Sequence, residues 1–240
     1  MASYASLIPK ALTLLWNAGT GFARLRPSEH TQPSWPELTD AVYSFNRGLL
    51  RPLQVRSELA RMVERVAETP PRRILEIGTS RGGTLYLLAR AARSDAVLVS
   101  VDLPLGPWGG VSPTWREWIL PRVVKEGQTL HFLRGSSHDP KTVERAVNIL
   151  GAGLVDVLMI DGDHSYSGVK QDFDMYAPMV RAGGLVIFHD IVPHPPRARC
   201  EVSRFWGEVK AGRRYEEIIE NPKQGWAGIG ILHWNVPTKT

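Results

Sequence analysis

The sequence predicts an α/β protein: a doubly wound, mostly parallel sheet of seven strands with a helical extension at the N-terminus. Three observations predict it. Short apolar runs recur at Ile74–Ile77, Val97–Val101, Leu130–Leu133, Val155–Ile160 and Leu185–Phe188, the pattern of parallel strands buried on both faces. Segments with apolar residues at helical spacing separate them, which implies right-handed crossovers. Glycine, acidic residues or histidine follow most runs, at the sheet edge where open α/β folds bind ligands.

Met1–Gly48 reads as an extension. Leu7, Leu12, Leu14, Leu15 and Trp16 suit a short amphipathic helix, and Pro27–Pro36 a proline-rich link. A helix docked on the domain, a substrate lid and a dimer contact all remain open for it. The domain division falls at 1–52 and 53–240. Leu53–Val66 places Leu59, Met62, Val63 and Val66 at helical spacing, and Pro70-Pro71 ends that helix. Gln54, at its start, faces the ligand in one reading; the reading taken is a surface glutamine.

The stretch Arg73–Thr84 organises the chain. Glu76 interrupts the apolar run of Ile74, Leu75 and Ile77, where an unpaired carboxylate is costly. Gly78 and Gly82-Gly83 then lead into a helix over Leu85–Ala92. Strand, glycine-rich turn and helix bring backbone N–H groups to a ligand. The second glycine of the dinucleotide fingerprint is missing, which suits a nucleoside ligand without phosphates. Asp102 closes the second strand, in position to accept hydrogen bonds from two ribose hydroxyls.

Leu103–Pro121 reads as a long loop rich in glycine, proline and tryptophan. Trp108 and Trp115 stack on a flat or sugar-like acceptor in one reading; in the other the rings anchor the loop. After the third strand, Ser136–Asp139 forms a polar turn able to hold an adenine, with Asp139 as the N-cap of a helix bearing Val143, Ala146, Val147 and Leu150. The fourth strand runs into Asp161–Tyr166, and the next helix shows Tyr166, Val169, Phe173 and Tyr176 on one face. Arg181–Gly184 reads as a stop and turn before the fifth strand, which ends at His189-Asp190. Parallel strands four and five end on one edge, so Asp161, His189 and Asp190 form a candidate divalent-cation site, with His164 as a general base beside it. The competing reading has Asp163 and Asp190 capping helices and His189 packed at the sheet edge. A helix over Cys200–Ala211 and an antiparallel pair, Tyr215–Ile219 with Ala227–Trp234, complete the sheet.

Hydrophobic content of 43% and charged content of 22% are ordinary for a globular chain of 240 residues. The net charge of +5 comes from scattered basic residues without interleaved aromatics, which speaks against a nucleic-acid partner. The single Cys200 excludes an intrachain disulfide and fits a reducing compartment. No secretory leader or membrane span is read in the sequence, and a cytoplasmic location is expected.

The segments EIGTSRGGT, VDLP, GSSHDP, IDGDHSYSGVKQDF and GGLVIFHDI, with RFW at 204–206, resemble class I S-adenosylmethionine-dependent methyltransferases of Rossmann-like fold. More narrowly they are similar to a bacterial small-molecule branch that includes cephalosporin-hydroxylase-like and macrocin O-methyltransferase-like proteins. The resemblance covers roughly Leu53–Trp234. It implies S-adenosylmethionine held by Glu76, Gly78, Ser80, Gly83, Thr84, Asp102, Leu103, Ser137, His138, Asp161 and Gly162. Asp161, His189 and Asp190 fall where metal-dependent members place Mg²⁺ or Mn²⁺, although those members usually carry an acid where His189 stands. His164 falls where catechol-type enzymes place a catalytic lysine, so His164 and Asp161 are the implied catalytic pair. Trp108, Trp115 and Tyr166 are the implied contacts to a small-molecule acceptor (a sugar, macrolide or phenol hydroxyl). A homodimer is compatible with the extension. The alternative is a catalytically silent or hydroxylase-associated cofactor-binding module.

Overall fold

The computed structural model describes Leu25, residues 33–104 and residues 114–235; the side chains of Thr114 and Trp115 are outside that description. Seven strands form one sheet: β1 (Arg73–Ile77), β2 (Val97–Asp102), β3 (Thr129–Arg134), β4 (Val155–Ile160), β5 (Val180–His189), β6 (Tyr215–Ile218) and β7 (Ile229–His233). Their order is β3-β2-β1-β4-β5-β7-β6. The first five run parallel, and β7 pairs antiparallel with both β5 and β6. The doubly wound expectation, with its closing antiparallel pair, is met. The order reverses between β1 and β4, which makes the C-terminal ends of those strands the switch point of the sheet.

The period of two along each strand decides the layers. Ile74, Leu98, Val157, Met159 and Ile187 face one side of the sheet, where α1 (Trp35–Ser44), α2 (Arg56–Ala67), α3 (Gly83–Ala91) and α4 (Thr114–Val123) contribute Val42, Leu59, Leu88 and Leu120. Their neighbours Leu75, Val99, Leu158 and Phe188 face the other side, under α5 (Pro140–Leu150), α6 (Tyr166–Tyr176) and α7 (Val202–Val209). Both layers are apolar, so the strand order is held by burial from two faces.

Local signals fix several helix starts. Ser34 and Glu37 form a reciprocal capping box on α1, and Pro36 lies in that helix's first turn rather than in a linker. Asp139 caps α5 by accepting from the Lys141 N–H, as the sequence predicts. Ser165 caps α6 through the Gly168 N–H. From Leu38 to Leu50 the described part of the extension packs into the same apolar layer as α2 and α3. The expected amphipathic helix at Leu7–Trp16 lies outside the described residues.

Three expectations are corrected. The helix read from Leu53 starts at Arg56, after a bend that turns Gln54 inward. Arg181–Gly184 is not a turn, because β5 runs through it as a bulge. Val155 pairs with Val180 but Val157 with Leu185, Gly183 adopts a φ of +77°, and the extra residues bend outward. Asp156 anchors the bulge by accepting from Arg181 Nε and from the N–H groups of Arg72 and Arg73. The tryptophan-rich stretch is also not all loop: Thr114–Val123 is helical, driven by the burial of Ile119, Leu120 and Val123. Among the described residues no helix is long and apolar enough to cross a membrane.

Candidate active site

The ends of β1 and β4 meet first. Gly78 has a φ of +83°, and a Cβ built on it would lie 1.9 Å from the Asp161 carbonyl oxygen. Only glycine satisfies both conditions. The Asp161 N–H donates to the Ile77 carbonyl and the Gly78 N–H to the Val101 carbonyl, so three strand ends are stitched under the glycine turn. Ser80 follows with a φ of +45°, a strained value for a residue with a side chain. Gly83 opens α3 and packs against the carbonyl of Leu50. No side chain caps that helix N-terminus.

A cavity of about 360 Å³ lies over this edge, in the size range of small-ligand sites. The glycine turn (Gly78–Thr84) makes one wall. Asp161, His164, His189 and Asp190 make the facing wall, and Pro52, Leu53, Gln54, His194, Ala198, Cys200 and Trp226 complete it. Of the residues expected to bind cofactor, Gly78, Ser80, Gly83, Thr84 and Asp161 line this cavity. Glu76, Asp102, Leu103, Ser137, His138 and Gly162 lie outside its lining.

Each of these outer residues has a local reason. Glu76 sits beneath the turn, 1% exposed, and neither carboxylate oxygen has a hydrogen-bond partner. Burial, with the charges of Asp161 and Asp102 nearby, pushes its carboxyl up to about 8 against the weaker opposing pull of Thr79 and Arg116. Asp102 is engaged: Arg116 from α4 donates to it at 2.6 Å, and the Thr79 N–H approaches at 3.4 Å. Arg116 is itself 4% exposed, with Nε and Nη1 unpartnered. Leu103 is exposed beyond the strand. His138 turns toward α6, its Nε2 at 3.2 Å from Asp172 without hydrogen-bond geometry. The Ser137 carbonyl accepts from Tyr176, and Gly162 packs between Ile77 and Asp172. Burial raises the Asp172 carboxyl to about 6.

On the facing wall, two carboxylates interlock with three imidazoles. Asp161 lies 3.1 Å from His189 Nδ1 and 3.4 Å from His164 Nε2. Asp190 lies 3.1 Å from His164 Nδ1, 3.3 Å from His189 Nδ1 and 3.3 Å from His194 Nε2. Asp190 adopts a φ of +64° and accepts from the Ala227 N–H, so its strain is held by pairing on several sides. Burial alone would lower the imidazole of His164. Hydrogen bonds to Asp161 and Cys200, with the two carboxylate charges, outweigh it and push His164 up to about 11. The same opposition raises His189 to about 10. Burial acts in the opposite sense on Asp161 and Asp190, but the imidazoles hold both below the usual carboxylate range. In this arrangement both histidines keep their protons at neutral pH. Single donor atoms of Asp161, His189 and Asp190 lie within 4.8 Å of one another, close enough to share a cation.

The expected acceptor contacts fare differently. Tyr166 does not enter the cavity: its hydroxyl donates to Glu208 at 2.6 Å and its ring packs on Phe205, because the outward face of α6 meets α7. Trp108 lies outside the described residues, and of Trp115 only its place on α4 is described. The cavity instead gains Gln54, His194, Cys200 and Trp226. Gln54 is 4% exposed, donating to Asp161 at 3.1 Å and accepting from Thr84 at 3.3 Å. His194 stood in the sequence four residues past Asp190, a spacing that could have signalled it. Trp226 comes from the β6–β7 connection and gave no such signal.

Comparison with known proteins agrees with this geometry. Residues 75–191, just under half of the chain, match the family model of a methyltransferase domain. The matched stretch is similar to methyltransferase domains; it runs from within β1 to just past β5 and includes the glycine turn and the facing carboxylate–imidazole wall of the cavity. The O-methyltransferase TomG of Streptomyces achromogenes, involved in tomaymycin synthesis and solved with S-adenosylmethionine, shares the fold at a TM-score of 0.55 and 19% identity over 86% of this chain and 92% of its own. An O-methyltransferase from Bacillus cereus, solved with S-adenosylhomocysteine, does so at 0.56 and 16% over 85% and 92%. Among curated proteins, an uncharacterized protein y4gI of Sinorhizobium fredii is 30% identical over 68% of this chain, and an uncharacterized protein of Acanthamoeba polyphaga mimivirus 29% over 58%. The chain spans 17% and 61% of the lengths of these two relatives.

Proposed function

We propose that the chain transfers a methyl group from S-adenosylmethionine to a hydroxyl of a small-molecule acceptor. The observation that carries this reading is a cavity whose two walls are the glycine turn and the carboxylate–imidazole cluster, so that cofactor and acceptor would meet in one space. Two fold neighbours solved with S-adenosylmethionine or its demethylated product support the choice of cofactor.

The residues fit the cofactor's chemistry. Glu76, buried with both oxygens unpartnered, is suited to a cationic group such as the cofactor's ammonium. Asp102 offers lone pairs to ribose hydroxyls, shared with Arg116. Ser137 and His138 would border the adenine. Asp161, His189 and Asp190 fit a divalent cation, and one held there supplies positive charge that acidifies an acceptor hydroxyl. His164 would take the acceptor's proton once the charges of Asp161 and Asp190 are otherwise neutralised, since those charges are what hold its own proton. Leu53 and Trp226, exposed at the cavity rim, would receive the acceptor's apolar body.

Calorimetric binding of S-adenosylmethionine, followed by a hydroxyl-acceptor screen read by S-adenosylhomocysteine release, tests the reading. His164→Ala is expected to retain cofactor binding and lose about 10²–10⁴-fold in turnover. Absence of cofactor binding refutes the proposal; unchanged turnover removes His164 from it.

A further inference from the structure

Cys200 enters the cavity from the segment between β5 and α7, and it does so beside His164 and Asp190. One donor atom from each of these three residues lies within 4.8 Å of the others. A tetrahedral cation about 2.0–2.3 Å from nitrogen, oxygen and sulfur ligands would draw such donors to about 3.3–3.8 Å of one another, inside that limit. Asp190 belongs both to this set and to the set with Asp161 and His189, so the two flank one carboxylate. A second observation comes from the adjoining set of Asp161, His189 and Asp190. His189 is 3% exposed and lines the cavity, yet its Nε2 has no partner among the described residues. A buried imidazole nitrogen left unpaired is costly unless something is to be bound there.

The donor chemistry discriminates among cations. Mg²⁺ takes oxygen ligands, keeps several waters and has little use for sulfur or imidazole. Imidazole suits zinc, cobalt and their neighbours, and a thiolate narrows the choice to softer ions. Here one carboxylate is shared by three imidazoles and a thiol. Resting on the functional reading above, we propose that His164, Asp190 and Cys200 bind a transition-metal cation of the zinc–cobalt class, with the Cys200 thiolate as a direct ligand; an ion there occupies His164 and takes it out of the proton transfer assigned to it above. The preference for such an ion over Mg²⁺ is written in the side chains of this chain: sulfur and imidazole stand where an oxygen-only site would place carboxylates and water. Binding releases the thiol proton, so affinity falls as the pH is lowered.

Co²⁺ added to the full-length, reduced protein reads the ligand directly. Expected are one Co²⁺ per chain, a sulfur-to-cobalt charge-transfer band in the near ultraviolet, displacement by Zn²⁺, and no displacement by a large excess of Mg²⁺. Cys200→Ser should abolish the band and weaken Co²⁺ binding by about tenfold or more, since even outer-shell changes cost 10–100-fold. Asp190→Asn should weaken binding while keeping the band at saturating Co²⁺. Circular dichroism confirms that each variant is folded. A wild-type complex without the band, a band that survives in Cys200→Ser, or displacement of Co²⁺ by equimolar Mg²⁺ overturns the proposal. Calorimetry with S-adenosylmethionine on the same samples separates the two ideas. Cofactor binding without the band refutes the metal assignment alone, and the band without cofactor binding refutes the methyltransferase reading while leaving the metal site standing.

Discussion

Glu76→Gln is expected to stabilise the protein and to weaken its grip on the cofactor. Glu76 occupies the centre of β1 among apolar neighbours, and its carboxyl is raised from an ordinary 4.5 to about 8, chiefly by burial. A raised acid has a definite sign in its linkage to stability. Between pH 4.5 and 8 the folded chain holds a proton that the unfolded chain has lost, so stability falls across that window and levels off above it. At pH 7 the gap is about 2.5 units, on the order of 3 kcal/mol. The glutamine cannot ionise and escapes this cost.

For a chain of this size 1 kcal/mol moves the melting temperature by about 2–4 °C, so the variant should melt about 6–12 °C higher at pH 7 and show almost no difference at pH 4. Paired thermal scans from pH 4 to 9 measure the difference curve. His164 and His189, also raised, lose stability above pH 6.5 in both proteins and cancel in the difference. A difference that is independent of pH, or a variant less stable at pH 8, refutes the argument. The same substitution removes the carboxyl that would give up its proton to face the cofactor's ammonium on binding. Calorimetry should therefore show weaker S-adenosylmethionine binding by about tenfold, in the sense opposite to the change in stability.

Gly78→Ala places a methyl 1.9 Å from the Asp161 carbonyl at a φ of +83°, and should cost more than about 3 kcal/mol in chemical denaturation; a loss under 1 kcal/mol means the two strand ends are not as close as described. Glu58→Ala removes the buried acceptor for the N–H groups of Glu220 and Gly228 and for Gln224, at about 2–4 kcal/mol. Faster amide exchange confined to 220–228, the segment that carries Trp226, is the expected signature, and unchanged exchange there refutes the role.

The strands were legible because each apolar run is short, continuous and closed by a polar or glycine residue, as burial on two faces requires. The ligand edge was legible for the same reason: Gly78, Asp161 and His189-Asp190 each terminate a run. What escaped depended on tertiary contact. Gln54 precedes a helix and carries no pattern; it is buried because Tyr43 accepts the chain there, its hydroxyl donating to the Gln54 carbonyl at 2.5 Å. Tyr166 shares an apolar face with Val169 and Phe173, but periodicity does not say whether such a face meets a ligand or another helix, and here it meets α7. The bulge at Arg181–Gly184 contains the same glycines a turn would, and only the pairing of Asp156 with Arg181 separates the two. Trp226 arrives from a connection held by Glu58, and Cys200 from one held by the Glu201 N–H on the His164 carbonyl, each partner far away in sequence.

Asp161 joins the two walls of the cavity, and its two ends do so by different means. Its backbone carbonyl fills the place where residue 78 would carry a Cβ, and its N–H is bonded to Ile77; this end positions the glycine turn. Its carboxylate receives Gln54 and His189 and lies near His164; this end sets the charge of the facing wall. Asp161→Asn keeps the first function and removes the second, so the two separate in one variant. The backbone geometry survives, and S-adenosylmethionine affinity should change by less than about threefold, well under the tenfold that 1.4 kcal/mol represents. His164 and His189 lose a carboxylate at 3.1–3.4 Å, and their imidazoles should titrate lower by at least about one unit, the low end of the effect of a neighbouring opposite charge. Imidazole resonances followed by NMR across pH 5–11 measure this in the metal-free protein. Histidines that titrate as in the wild type refute the claim that Asp161 holds their protons. A large loss of cofactor affinity with unchanged histidine titration would mean that the carboxylate, not the backbone, supports the glycine turn.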